Sequence, residues 1–541
     1  MTPEANPVAA TPPAAQPPPA LSLRWRGWLS LLVGVVALLG FAPGIQAGFH
    51  IEDFNYLALM RHLDSAWPLL HENLFFVYYY RPTGLMFWWA SLQLAGTNPL
   101  LHNLLDLALQ CGNAMLLALL AQRLGRNTVA ALIAGLAFAC LPASSATAMW
   151  LSDRYDPLAL WFGLLALLMF ESALDGRRRA AAWTALWLML ALGAKEVAFV
   201  IPLLMLVRLG WRRLSGTSVS AWLVAAVLAP VVTALLLRSL FVTPAKAQFR
   251  LGPLLESIIT ALAAWWTRFP EALWGFRTPP NGLLWIAAMI GVVMLLALLR
   301  ATWKREQHVV RLAITGAALL LSPALVQWPI TAQVLVQPES LHYTVNLRFF
   351  HLAMAGLAVL IAASWLALPE RSVRIVFSLA LLVLGGSWFA AARDNAHDWR
   401  VSTAASTRQY LMLGHELGQR AFPARCRIHL HGDQLPPQFA PFADVIAKTN
   451  AAPGASLLGC TVQAGKPPFV VLLRDGLCTA EQWPGLKLLK FDGRASARFG
   501  NLCGLFPFAD DADSSAASFH FEVDADGHLS ELSGPQTAIG H

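Results

Sequence analysis

Charge is scarce in this sequence: Asp, Glu, Lys and Arg make up 13% of its 541 residues, and 57% are hydrophobic. An ordinary soluble domain carries about 25% charged residues, so a water-soluble globule is excluded. Cysteine is sparse too, with six in the chain and no Cys-x-x-Cys pair. No cluster of metal-ligating side chains stands out either, so no metal and no other cofactor is expected. The net charge of +8 would suit nucleic acid, but Lys and Arg come in short clusters between apolar runs, not as a basic stripe interleaved with aromatics. No nucleic-acid partner is expected. Internal repeats with matched broken helices, which many transporters carry, are also missing.

What the sequence does have is a series of apolar runs of 17 to 22 residues. A helix rising about 1.5 Å per residue needs about that length to cross a ~30 Å hydrocarbon core. The runs predict an all-α polytopic membrane bundle of about 11 transmembrane helices. The expected setting is the bacterial inner (cytoplasmic) membrane, with membrane lipids as neighbours. Residues 1–22, rich in Pro and Ala, read as a disordered cytoplasmic tail. Arg24 and Arg26 hold the N-terminus inside by the positive-inside tendency, and no small-residue cleavage site follows cleanly, so the first helix reads as uncleaved. Helices are expected at about 28–46, 101–122, 128–148, 157–173, 219–240, 282–299, 311–330, 349–367 and 374–391. The stretch 180–207 lies between two basic clusters and is too long for one crossing and too short for two, which predicts two short helices meeting at Gly193-Ala194-Lys195-Glu196. The transmembrane domain is thus 23–391. Residues 47–100 form its large first outer loop, with an interfacial stretch at 84–95 marked by Trp88 and Trp89. A second outer loop carries Lys246, Arg250, Arg268 and Arg277.

Residues 392–541 lose the long apolar runs and gain short alternating ones such as Phe469–Leu473, which predicts a small C-terminal α/β periplasmic domain. Cys426, Cys460, Cys478 and Cys503 all fall in it, enough for two disulfides in an oxidising compartment, with zinc as the alternative. An odd number of crossings independently places this domain outside.

An ionisable side chain in or beside a span is costly, so each one is a functional candidate. Glu52 and Asp53, just after the first helix, suit general-base work on an acceptor, or cap the next helix. Arg81-Pro82 follows Tyr78-Tyr79-Tyr80 at the lipid boundary, where a cation can hold a lipid-linked phosphate or simply snorkel. Ser152-Asp153-Arg154-Tyr155-Asp156 combines carboxylates with a cation at an outer turn, as a site or as a structural ion pair. Lys195-Glu196 reads as a site pair or as a buried pair fixing the turn between two short helices. Arg348, after His342 and Tyr343, is a second phosphate candidate or an interfacial anchor.

Taken in order, Glu52-Asp53-Phe54-Asn55-Tyr56, Tyr80-Arg81-Pro82, His102-Asn103-Leu104-Leu105 with Asn113, Trp150 to Asp156, Ala194-Lys195-Glu196 and Asn346-Leu347-Arg348-Phe349-Phe350 resemble the GT-C superfamily of integral-membrane glycosyltransferases. The resemblance covers about residues 28–370 and is strongest to the bacterial relatives of the protein O-mannosyltransferase and TMTC families. It implies transfer of a sugar from a polyprenyl-phosphate-linked donor to a lipid, glycan or protein acceptor. Asp53, with Glu52 beside it, would act as base, and Arg81 and Arg348 would hold the donor phosphate. Arg154, Asp156, Lys195, Glu196 and His342 would complete the substrate site. The chain has Glu-Asp where the family often has Asp-Asp or Asp-Glu, so either carboxylate fits the base, and it has Arg348-Phe349 where Arg-Tyr is commoner. A flippase for a lipid-linked saccharide and a non-catalytic membrane scaffold are the competing classes.

Overall fold

The computed structural model describes residues 23–49, 53, 56, 60, 63, 65–71, 79–96, 98–241, 251–275, 279–327, 347–420, 426–431, 460–464, 469–473, 502–507, 517–524 and 528–536. Its helices are α1 (Leu23–Phe41), α2 (Pro68–His71), α3 (Pro82–Ala95), α4 (Pro99–Gly125), α5 (Thr128–Cys140), α6 (Ser144–Met149), α7 (Tyr155–Leu174), α8 (Arg178–Ala194), α9 (Val200–Leu214), α10 (Ala221–Phe241), α11 (Leu251–Trp274), α12 (Asn281–Trp303), α13 (Gln307–Val326), α14 (His351–Ala367) and α15 (Arg371–Gly418). Apolar runs become helices because a backbone removed from water must satisfy its N–H and C=O groups within the segment. Among the described residues six stretches are long and apolar enough to cross a membrane: Pro99–Gly125, Leu151–Leu174, Ala221–Phe241, Asn281–Trp303, Leu347–Ala367 and Arg371–Val401. Ser30–Gly44 and Thr128–Cys140 are apolar but shorter. The chain is a multi-pass membrane protein, a helical bundle with a small C-terminal sheet.

Local signals set the joints. Asn98 and Asn127 accept hydrogen bonds from Leu100 N and Ala130 N at 3.0 Å, capping α4 and α5. The run read as one helix over 128–148 breaks at Leu141-Pro142 into α5 and α6, since proline has no N–H to continue the ladder. The stretch 180–207 does form two helices, α8 and α9, joined at Lys195 and the 3-10 turn Glu196–Phe199. Two expectations change. The segment carrying Arg268 is not a loop but the 24-residue helix α11. Trp88 is not interfacial either: α3 packs inward against α4 and α8, and the indole is fully buried, stacked 5.0 Å from Tyr56. Lys246, Arg250 and Arg277 lie outside the described residues.

The C-terminal sheet comprises β1 (Cys426–His431), β2 (Cys460–Ala464), β3 (Phe469–Leu473), β4 (Leu502–Pro507), β5 (Ala517–Val523) and β6 (Leu529–Gln536). Their order is β4-β3-β2-β1-β5-β6, with β1 parallel to β2 and β5 and the other pairs antiparallel. Ile428, Leu430, Phe521 and Val523 are buried, the period of two expected of a sheet with one covered face. Cys426 and Cys460 occupy paired register positions on β1 and β2, Cys503 lies on β4, and Cys478 lies outside the described residues.

The core of the bundle is drawn tightest where α13 crosses α14. A Cβ on Gly356 would overlap the backbone of Leu319 and Leu320, and one on Gly316 would sit 2.8 Å from Leu360 Cγ. Small residues at such crossings let backbones approach where lipid offers no hydrophobic drive to hold helices together. Gly356→Leu is therefore expected to cost about 1–3 kcal/mol or more by overpacking, read as a lower thermal midpoint and loss of monodisperse protein in detergent.

Candidate functional site

The site is organised by one short segment. Between α6 and α7 the chain makes a 3-10 turn, Leu151–Asp153, and the residues around it reach outward in different directions. Ser152 donates to Asp53 Oδ1 through its backbone N at 2.6 Å and its Oγ at 2.5 Å. Asp153 lies 3.4 Å from Lys195 Nζ and 4.0 Å from Arg348 Nε. Asp156 makes a second ion pair with Lys195. Two acidic residues at the start of a helix sit where the dipole favours negative charge, and Lys195, in the break between α8 and α9, reaches both. Tyr155 lies 5.9 Å from Tyr56 and 5.4 Å beneath the Arg81 guanidinium, and Trp150 lies 4.6 Å beneath that of Arg348.

A second charge cluster adjoins this turn through Arg81. Its Nε and Nη2 donate to Glu196 Oε2 at 3.0 and 2.6 Å, and Arg238, at the end of α10, donates to Oε1 at 2.8 Å. Two guanidinium groups on one carboxylate leave a net charge of +1. Tyr80 anchors the segment by donating to Leu70 O at 2.5 Å and stacking on Phe241 at 5.0 Å.

Arg348 is held differently. It lies in the 3-10 turn Leu347–Phe350 that opens α14, against the rings of Trp150 and Phe349, with Asp153 as its ion pair. Nearby, His351 Nδ1 shares a 2.9 Å hydrogen bond with Thr147 Oγ1. Arg348 Nε, Asp153 Oδ2 and His351 Nε2 are buried atoms without a hydrogen-bond partner among the described residues. Buried polar groups are ordinarily paired; Arg154 Nε and Asp106 Oδ1 are unpartnered among the described residues in the same way. No group of three or more His, Cys, Asp or Glu among the described residues is arranged to hold a metal ion.

Asp53, Arg81, Asp156, Lys195, Glu196 and Arg348, scattered over about 300 positions, therefore meet around one turn. Glu52 and His342 lie outside the described residues. Arg154 is fully buried: its side chain has no exposed surface, pairs with Asp106 at 3.0 Å, donates to Ser91 Oγ at 2.7 Å and lies 4.2 Å over Trp88. Asp106, Arg238 and His351 were not singled out from the sequence. Asp106 carried a signal, being an acid inside the apolar run of α4; Arg238, at a helix end, resembles an ordinary topogenic cation.

Asp106 and Arg154 make a fully buried pair, for which removing one partner strands a charge. Arg154→Met alone is expected to cost about 3–5 kcal/mol, while Asp106→Leu with Arg154→Met recovers most of that loss, both read from thermal unfolding of the purified protein.

No protein-family model matches this sequence, and no curated protein matches it. Among solved structures the chain is similar to ArnT from Cupriavidus metallidurans bound to undecaprenyl phosphate, at 13% identity and TM-score 0.45, over 83% of this chain and 93% of that one. It is also similar to the archaeal oligosaccharyltransferase AglB from Archaeoglobus fulgidus in complex with an inhibitory peptide and a dolichol-phosphate, at 11% identity and TM-score 0.44, over 80% of this chain and 65% of that one.

Proposed function

We propose that this chain is an inverting membrane glycosyltransferase of GT-C type, moving a sugar from a polyprenyl-phosphate-linked donor to a periplasmic lipid, glycan or protein acceptor. The observation that carries the reading is the meeting of a fixed carboxylate and an incompletely paired cation at one turn: Asp53 on Ser152, and Arg348 on Trp150 and Asp153. Asp53 takes the proton of the attacking hydroxyl or amine. The acceptor atom bonds to the anomeric carbon while the bond from that carbon to the phosphate oxygen breaks, and the electron pair departs with the polyprenyl phosphate. Arg348 stabilises the charge that develops on that oxygen, where a preorganised cation is worth most. Arg81 adds the net positive charge it shares with Arg238 and Glu196. Lys195 holds Asp153 and Asp156 in place. In this reading Glu52 flanks the base, and His342 belongs to the segment leading into Arg348.

In a deletion strain complemented with variants at matched protein level, Asp53→Asn is expected to lower transfer by about 10²–10⁴-fold and to let the lipid-linked donor accumulate. Undecaprenyl phosphate binding by the purified variant stays within about twofold, since a general base contributes to the reaction step and not to holding the phosphate. Arg348→Gln is expected to weaken that binding by about tenfold, the scale of one lost charge-assisted hydrogen bond. Full transfer by Asp53→Asn overturns the reading. For the outward-facing site, a membrane-impermeant thiol reagent is expected to label a cysteine placed at Trp67 from outside the cell and to leave one at Arg178 unlabelled.

A further inference from the structure

The helix α15 does more than end the membrane bundle. Its membrane-length apolar part finishes at Val401, yet the helix continues to Gly418. Just past that point Thr403 and Thr407, one turn apart and therefore on one face, are buried against the chain that leads to Asp53. Gly48 N donates to Thr403 Oγ1 at 2.8 Å, and Phe49 N donates to Thr407 Oγ1 at 2.6 Å. Thr407 returns its own proton to Phe49 O at 3.2 Å, and Thr403 donates to Trp399 O at 2.7 Å, so both hydroxyls act as donor and acceptor. The approach is close enough to demand glycine: a Cβ on Gly48 would collide with the Thr407 side chain and come to 2.6 Å from Thr403 O. From the opposite side, Asn103 of α4 donates to Ala47 O at 2.7 Å and Ile45 O at 3.2 Å. Residues 45–49 are gripped between two helices, and Asp53 lies four positions beyond Phe49 in the chain.

The same helix also touches the other half of the Asp53 contact. Trp399 lies 6.5 Å from Trp150, and Ala392 and Ala396 pack with Met149 and Phe41. Thus α15 braces both segments that meet when Ser152 donates to Asp53. At its far end it carries the C-terminal sheet: Arg420, just beyond the helix, donates to Leu529 O at 3.3 Å, pairs with Glu531 at 3.9 Å and lies 4.8 Å over Phe521, while Glu416 bonds His528 at 3.2 Å.

We propose that α15 is a strut that fixes the segment before Asp53 from the C-terminal domain, with Thr403 and Thr407 as positioning residues for Asp53 whose hydroxyls set the placement of that carboxylate against Ser152. The role assigned to the strut rests on Asp53 being the base.

The test uses the full-length protein with Thr407→Val, which keeps the shape and removes two hydrogen bonds, and Thr407→Ser, which keeps the hydroxyl. Hydrogen exchange at the Gly48 and Phe49 amides reads the clamp independently of any reaction. Thr407→Val is expected to speed exchange at Phe49 by about tenfold and to lower transfer in the complemented deletion strain by about tenfold, the scale of one to two lost buried hydrogen bonds. Undecaprenyl phosphate binding stays as in the parent chain, and Thr407→Ser restores both exchange protection and transfer. Thr403→Val serves in its place should Thr407→Val fail to fold, with the same pattern at Gly48. Normal transfer by Thr407→Val beside an inactive Asp53→Asn overturns the strut and leaves the base standing. Normal transfer by Asp53→Asn removes the base assignment, and unchanged Phe49 exchange in Thr407→Val then removes the clamp as well. Failure of Thr407→Ser to rescue also overturns the proposal, because a hydroxyl is all that the clamp requires.

Discussion

An unpaired charge cannot be buried cheaply at low dielectric, and the arrangement of this site follows from that cost. Asp53, Arg81, Asp106, Asp153, Arg154, Asp156 and Lys195 are all buried. Each buried charge needs a counter-ion or a strong donor, and the turn from Trp150 to Asp156 supplies most of them. Ser152 serves Asp53, Asp153 and Asp156 serve Lys195, and Arg154 serves Asp106. The turn is irregular because its backbone and side chains are committed outward to partners on α3, α4, the α8–α9 break and the opening of α14. Its neighbours hold their positions through it.

The charge pairs differ in how completely they are closed. Arg154 and Asp106 have no exposed side-chain surface and act on the fold. Arg81 and Arg238 share Glu196, a cluster with one positive charge to spare. Arg348 is the most open of the three, its side chain 22% exposed, stacked on aromatic rings and 4.0 Å from its carboxylate. A cation held by ring faces and a long ion pair is preorganised without being neutralised, which is what stabilising a departing phosphate requires. The gradation from closed to open separates scaffold from proposed chemistry within one network.

The position of Asp53 depends on distant parts of the chain. It is held by Ser152, 99 positions away, while Gly48 and Phe49, shortly before it, are held by Thr403 and Thr407, some 355 positions away. A helix is stiff over this length, so α15 ties the C-terminal sheet to the segment before Asp53.

By itself the sequence located most of the helices. The apolar runs it marked became α1, α4, α5, α7 to α10 and α12 to α15, six stretches of which, among the described residues, are long and apolar enough to cross a membrane, because a backbone removed from water must pair within its own segment. The helix α11 and the extension of α15 to Gly418 were not legible from those runs. It also marked Asp53, Arg81, Lys195, Glu196 and Arg348, since a charge beside an apolar run stands out by its cost. What only the tertiary structure decided is who pairs with whom. Local composition assigned Trp88 to the membrane interface and left Arg154 as either a site residue or a structural ion pair; packing placed both inside, one against the other. Thr403, Thr407 and Gly48 carried no signal at all, because a hydroxyl or a missing Cβ acquires meaning only when another backbone arrives within hydrogen-bonding distance.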